Sequence, residues 1–101
     1  MKKILDSLGL EAINPGTWYG NESSEDASAP LIESINPATG KPLASVRGTT
    51  AAEYDRIVRT AQEAFLEWRR IPAPERGGAI RLIGDALRDN KDALGSLVTL
   101  E

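Results

Sequence analysis

Leu31-Ile32-Glu33-Ser34-Ile35, Asn36-Pro37-Ala38-Thr39-Gly40-Lys41 and Pro42-Leu43-Ala44-Ser45-Val46-Arg47 follow one another as a strand-like run, a turn and a second strand-like run. Pro37 sets φ near about −65° and Gly40 can take positive φ, so the middle stretch predicts a reversal longer than the two-residue hairpin turn. Pro42 has no N–H to give to a ladder, which predicts an edge strand or the first part of a strand. The span 31–48 therefore reads as a β-hairpin.

Downstream of it the hydrophobic period changes from two to three and four. Thr50-Ala51-Ala52-Glu53 has the form of a capping box, in which a hydroxyl and a carboxylate each satisfy a free amide at a helix start. Tyr54, Ile57, Val58, Ala61, Phe65 and Trp68 then fall on one helical face. Pro72 and Pro74 end that helix, and Pro74 suits the first turn of the next. Ile80, Ile83, Gly84 and Leu87 form the second stripe, with Arg76, Arg81, Asp85 and Arg88 expected outside it. Asn90 reads as a left-handed stop for one helix and a cap for the following one. Leu94, Leu97 and Val98 begin a third stripe that reaches Glu101 with no Gly or Pro to halt it, so the chain is expected to continue. The helices are placed at about 50–70, 74–89 and 91–101.

Upstream, residues 1–30 are punctuated by Asn14-Pro15-Gly16 and Asn21-Glu22-Ser23-Ser24-Glu25-Asp26. They read as an extended N-terminal segment, mostly loop, with a helical turn or two around residues 2–8. Trp18 and Tyr19 are expected to anchor this loop on a surface. The fold class is α+β and mostly helical, a hairpin followed by two or three helices. A two-stranded hairpin has a second face to cover and is marginal in water, so the whole reads as an outer layer awaiting a sheet.

The totals exclude several chemistries. With 101 residues, a formal charge of −3 and neither Cys nor His, the chain offers no basic surface for nucleic acid. It offers no thiolate or imidazole for catalysis and no sulfur or imidazole ligand for zinc. No apolar run approaches the roughly 20 residues that span a bilayer, and Asp6 interrupts any leader, so the expected setting is cytoplasmic. Smaller features have ordinary readings. Gly40-Lys41 lacks the flanking Gly and Ser or Thr of a phosphate loop, and Gly77-Gly78 reads as a close helix contact. Asn21-Glu22-Ser23 is a glycosylation sequon without a leader. Glu22, Glu25 and Asp26 read as a solvated loop, and Arg69, Arg70, Arg76 and Arg81 as a solvated face.

The order of these pieces carries a resemblance. Asn36-Pro37-Ala38-Thr39-Gly40-Lys41-Pro42 and Glu63-Ala64-Phe65-Leu66-Glu67-Trp68 resemble the leading hairpin and first long helix of the aldehyde dehydrogenase superfamily. Residues 14–20, 71–77, 83–88 and 94–101 are similar to its α-aminoadipic semialdehyde dehydrogenase (antiquitin) branch. The resemblance implies that residues 31–101 are the leading, incomplete part of an NAD(P)-binding domain whose parent is α/β with a Rossmann-like sheet. For that parent it implies oxidation of an aldehyde to a carboxylate by way of a Cys nucleophile, NAD as hydride acceptor (or NADP), and a Glu-activated water. The implied substrate is α-aminoadipic semialdehyde in equilibrium with piperideine-6-carboxylate, in lysine degradation, and the implied assembly is a homodimer or homotetramer.

None of the family's catalytic, cofactor-contacting or metal positions maps onto this chain, so the site assignment is none in all three classes. The chain alone is expected neither to catalyse nor to bind the cofactor, and its first partner is expected to be the remainder of the same polypeptide. The competing expectation is a non-enzymatic helical module, or a gene relic, binding dehydrogenase subunits through the Tyr54–Trp68 face.

Overall fold

The computed structural model describes all 101 residues. Its elements in chain order are α1 (Lys2–Ser7), β1 (Ile13–Pro15), β2 (Trp18–Tyr19), β3 (Glu22–Ser23), β4 (Leu31–Asn36), β5 (Lys41–Arg47), α2 (Ala51–Trp68), α3 (Ala73–Asp89) and α4 (Lys91–Leu100).

The turn between β4 and β5 closes for the reasons written in its residues. Asn36 Oδ1 accepts from the Ala38 amide at 2.9 Å, and the Gly40 amide donates to the Asn36 carbonyl at 2.8 Å. Gly40 takes φ 68°, the left-handed region that side chains disfavour. Ser34 pairs with Ala44 and Ile35 with Pro42, so Leu43 is an extra residue and the ladder bulges beside the proline.

The hairpin is not alone. β1 pairs in parallel with β5, giving the order β1-β5-β4 and making β5 the central strand. Pro42 thus sits not on an edge strand but in the first part of a central one, the other of its two expected positions. It is tolerated because β1 reaches only Ser45, Val46 and Arg47, beyond the proline. This third strand comes from the stretch read as loop, and its three residues, one of them a proline, carry no hydrophobic alternation to announce it. Gly16 lets the chain leave β1, since a Cβ there would collide with the backbone carbonyl of Arg47. Thr17 is buried, its hydroxyl hydrogen-bonded to that of Thr49.

α2 starts where the capping box places it. The Glu53 amide donates to Thr50 Oγ1 at 3.2 Å, and the Thr50 amide donates to Glu53 Oε2 at 3.1 Å. Thr50→Ala removes one of these bonds and costs about 1 kcal/mol of helix stability. The expected result is fraying of the first turn, seen as faster amide exchange at Ala52 and Glu53 with little change at Phe65.

Asn90 departs from its expected role. With φ −105° and ψ 11° it is not left-handed, and its side chain caps no α4 amide. Instead its side chain turns back to α3, where Nδ2 donates to the Ala86 carbonyl at 2.9 Å, and its Oδ1 accepts no α4 amide.

The helices are not gathered around a core. Only Thr17, Ser24 and Ala29 are buried, and one of these three is hydrophobic. The Cα radius of gyration is 16.7 Å, against about 13 Å for a compact chain of this length. α1 lies against α4 and β2 against α2, while apolar side chains of α2, α3 and α4 remain in solvent.

Candidate interaction face

α2 and α3 each carry an exposed apolar stripe. On α2, Tyr54, Val58, Phe65 and Trp68 follow one face and are all exposed. Ala61, Ala64, Phe65 and Trp68, with Ile71 beyond the helix end, line an open apolar hollow of about 540 Å³. On α3, Ile80, Ile83 and Leu87 share a face and are each more than half exposed, at 61%, 59% and 58%. Ile83, Ala86 and Leu87 form one wall of an apolar groove of about 430 Å³, completed by Leu8 and Leu94. The sheet is equally bare. Leu31 and Ile32 point to opposite faces by strand alternation, yet both are exposed.

Full burial of one such side chain is worth about 1.5–3 kcal/mol. Leaving this many in water is the signature of a surface made to be covered.

Several side chains sit away from their expected places. Trp18 anchors nothing and is 63% exposed, whereas Tyr19 accepts a hydrogen bond from Arg56 Nη1 at 3.0 Å. The Arg56 guanidinium lies 6.0 Å from the ring centroid because it meets the hydroxyl end, so the hydrogen bond is the contact and the ring face is not. A Cβ at Gly77 or Gly78 would meet no atom within 4 Å, so no close packing within this chain requires those glycines. Arg76 lies on the apolar side of α3 instead of outside it. It is half-buried, its Nε is shielded from solvent, and no acceptor reaches that atom.

The remaining charged groups make local contacts. Arg70 meets Glu67 at 3.7 Å and Arg88 meets Asp85 at 3.0 Å, both largely exposed pairs worth at most about 1 kcal/mol. No cluster of three Asp, Glu, His or Cys side chains is assembled to hold a metal ion, and no helix is long and apolar enough to cross a membrane.

Asp26 organises its own turn, accepting from Ser28 Oγ at 2.6 Å and from the Ser28 amide at 2.9 Å. The hydroxyl bond first, then the amide bond, hold its carboxyl below the usual aspartate value. Partial desolvation opposes this and the charge of Arg47 adds to it. A depressed carboxylate contributes stability that is present above the unfolded pKa and lost as pH falls through the folded one. An NMR titration should place the Asp26 midpoint below that of an unstructured aspartate, and Ser28→Ala should move it back up.

A sequence model of the aldehyde dehydrogenase family matches residues 23–101, more than three quarters of the chain and all of the hairpin and long helices. The chain belongs to the aldehyde dehydrogenase family. It is 42% identical over 98 residues to aldehyde dehydrogenase family 7 member A1 of Pisum sativum, covering 97% of this chain and 19% of the pea protein. It is 42% identical over 97 residues to the alpha-aminoadipic semialdehyde dehydrogenase of Bos taurus, covering 96% of this chain and 17% of the bovine protein. A Caenorhabditis elegans protein named as a putative aldehyde dehydrogenase family 7 member A1 homolog is 37% identical over 98 residues, 97% of this chain and 18% of its own length. The chain thus spans less than a fifth of each of these three dehydrogenases. The aligned lengths include the N-terminal segment, whose short strands and turns the family model covers only from Ser23.

The residues present do not fit a dinucleotide. A pyrophosphate needs free amides at a helix start and no competing negative charge. Here α2, α3 and α4 carry Glu53, Glu75 and Asp92 in their first turns, and at α2 the capping box already takes two amides, that of Thr50 by Glu53 Oε2 and that of Glu53 by Thr50 Oγ1. No Gly-x-Gly-x-x-Gly turn joins a strand to any of them.

Proposed function

We propose that the chain is the leading part of the NAD(P)-binding domain of an aldehyde dehydrogenase whose parent carries a Rossmann-like sheet. In this reading residues 1–30 are an N-terminal extension and residues 31–101 are a covering layer. The whole enzyme oxidises an aldehyde to a carboxylate in the cytoplasm as a homodimer or homotetramer, with NAD or NADP as acceptor. The proposed substrate is α-aminoadipic semialdehyde, in lysine degradation, the aldehyde for which the bovine relative is named.

The observation that carries the proposal is the coincidence of family membership with an uncovered structure. Almost the whole of this chain aligns with a short part of its relatives, and it buries a single hydrophobic residue. The chemistry is assigned outside it. Aldehyde oxidation by this family's route needs a thiolate nucleophile, and there is no Cys among the 101 residues. No catalytic, cofactor-binding or metal-binding role is proposed for any residue here.

The test is a graft. The bovine dehydrogenase, with this chain in place of its own matching stretch, should fold and reduce NAD when given α-aminoadipic semialdehyde. A soluble, folded graft that reduces no NAD with this or any other aldehyde would contradict the proposal.

A further inference from the structure

The α3 stripe contains one residue that apolar burial does not explain. Arg76, Ala79, Ile80, Ile83 and Leu87 recur at spacings of three and four, so the guanidinium rises from the same face as the three exposed aliphatic side chains. Its Nε is closed off from solvent with no acceptor, and none of its nitrogens makes an ion pair or hydrogen bond. It also stands in the first turn and a half of α3, where the helix dipole disfavours a cation. By contrast, Arg88 on the polar side is paired with Asp85.

Resting on the proposed function above, we propose that the α3 face docks on the part of a dehydrogenase subunit that this chain does not span. The covering surface there is apolar, with a carboxylate placed to receive Arg76. Two observations select this occupant. More than four fifths of each relative's length lies outside the matched stretch. A planar five-donor cation on the same helix face as three exposed aliphatic side chains asks for an acidic acceptor set within an apolar surface, a pairing that a folded protein surface supplies. Arg76 is then the polar key that fixes the register of an otherwise featureless apolar contact.

The experiment uses the graft, the bovine dehydrogenase with this chain in place of its own matching stretch. Amide hydrogen exchange across α3 is measured in the folded graft and in its variants. Arg76→Met should speed exchange there about thirtyfold or more, the ordinary loss for deleting one side of a buried charge pair, and Arg76→Lys should fall between. Arg88→Met should exchange as the parent graft does. Unchanged exchange in β4 and β5 separates lost docking of α3 from lost folding of the graft.

Arg76→Met exchanging as slowly as the parent graft would overturn the assignment, as would α3 exchanging in the folded graft as fast as in the chain alone. A chain that instead forms its own dimer, lost in Arg76→Met, would also overturn it by naming a second copy as the occupant. A folded graft whose α3 protection depends on Arg76 but which oxidises no aldehyde would sink the proposed function while leaving this inference standing.

Discussion

Heated alone, the chain should show no cooperative unfolding transition. Cooperativity requires side chains that lose their contacts together, and only Ala29 among the hydrophobic residues is buried. Each ordered residue costs about 1–2 kcal/mol of backbone entropy, against which two exposed ion pairs and the hairpin ladder contribute little. Helix signal should therefore decline gradually across the whole temperature range, with no heat-absorption peak. A dye that fluoresces in apolar surroundings should bind the chain at low temperature, on the α2 hollow and the α3 groove. A sharp calorimetric peak would mean that the stripes find cover within the chain itself.

NAD titrated into the isolated chain should give no heat. The argument is electrostatic as well as compositional. A pyrophosphate carries two negative charges, and every long helix here begins with a carboxylate in its first turn. The polar cleft of about 280 Å³ near β1 and β3 is lined by Glu11 and Glu25 as well as Arg47, so it offers no net attraction to an anion. Binding in the micromolar range would place part of the cofactor site within these residues, against the division of labour proposed here.

What could be read from the residues followed how local the determining physics is. The hairpin turn and the α2 start are set by contacts within four residues, Asn36 with Ala38 and Gly40, Thr50 with Glu53, and both were visible. The α+β class and the family followed from the order of such pieces. The parallel pairing of β1 with β5 depends on residues about thirty positions apart, held by a strand too short to show alternation, and it was not visible.

Asn90 departs from the expected cap because its side chain folds back along α3, and residue type alone does not say which way it turns. Residue type places Arg76 on the polar side of α3, whereas its spacing from Ile80, Ile83 and Leu87 places it on the apolar one. The period was the better guide. No atom of this chain approaches Gly77 or Gly78, just as none covers Ile80, Ile83 and Leu87 on the same helix.

The most direct test of the account is amide hydrogen exchange across α3. It should be measured at Ile80, Ile83 and Leu87 in the chain alone and again in the graft with the bovine dehydrogenase. The account predicts exchange close to that of a fraying helix in the chain alone, and strong protection, by several orders of magnitude, once the remaining subunit covers the face. Equal protection in both states would contradict it, because the α3 stripe would then owe nothing to a dehydrogenase partner surface.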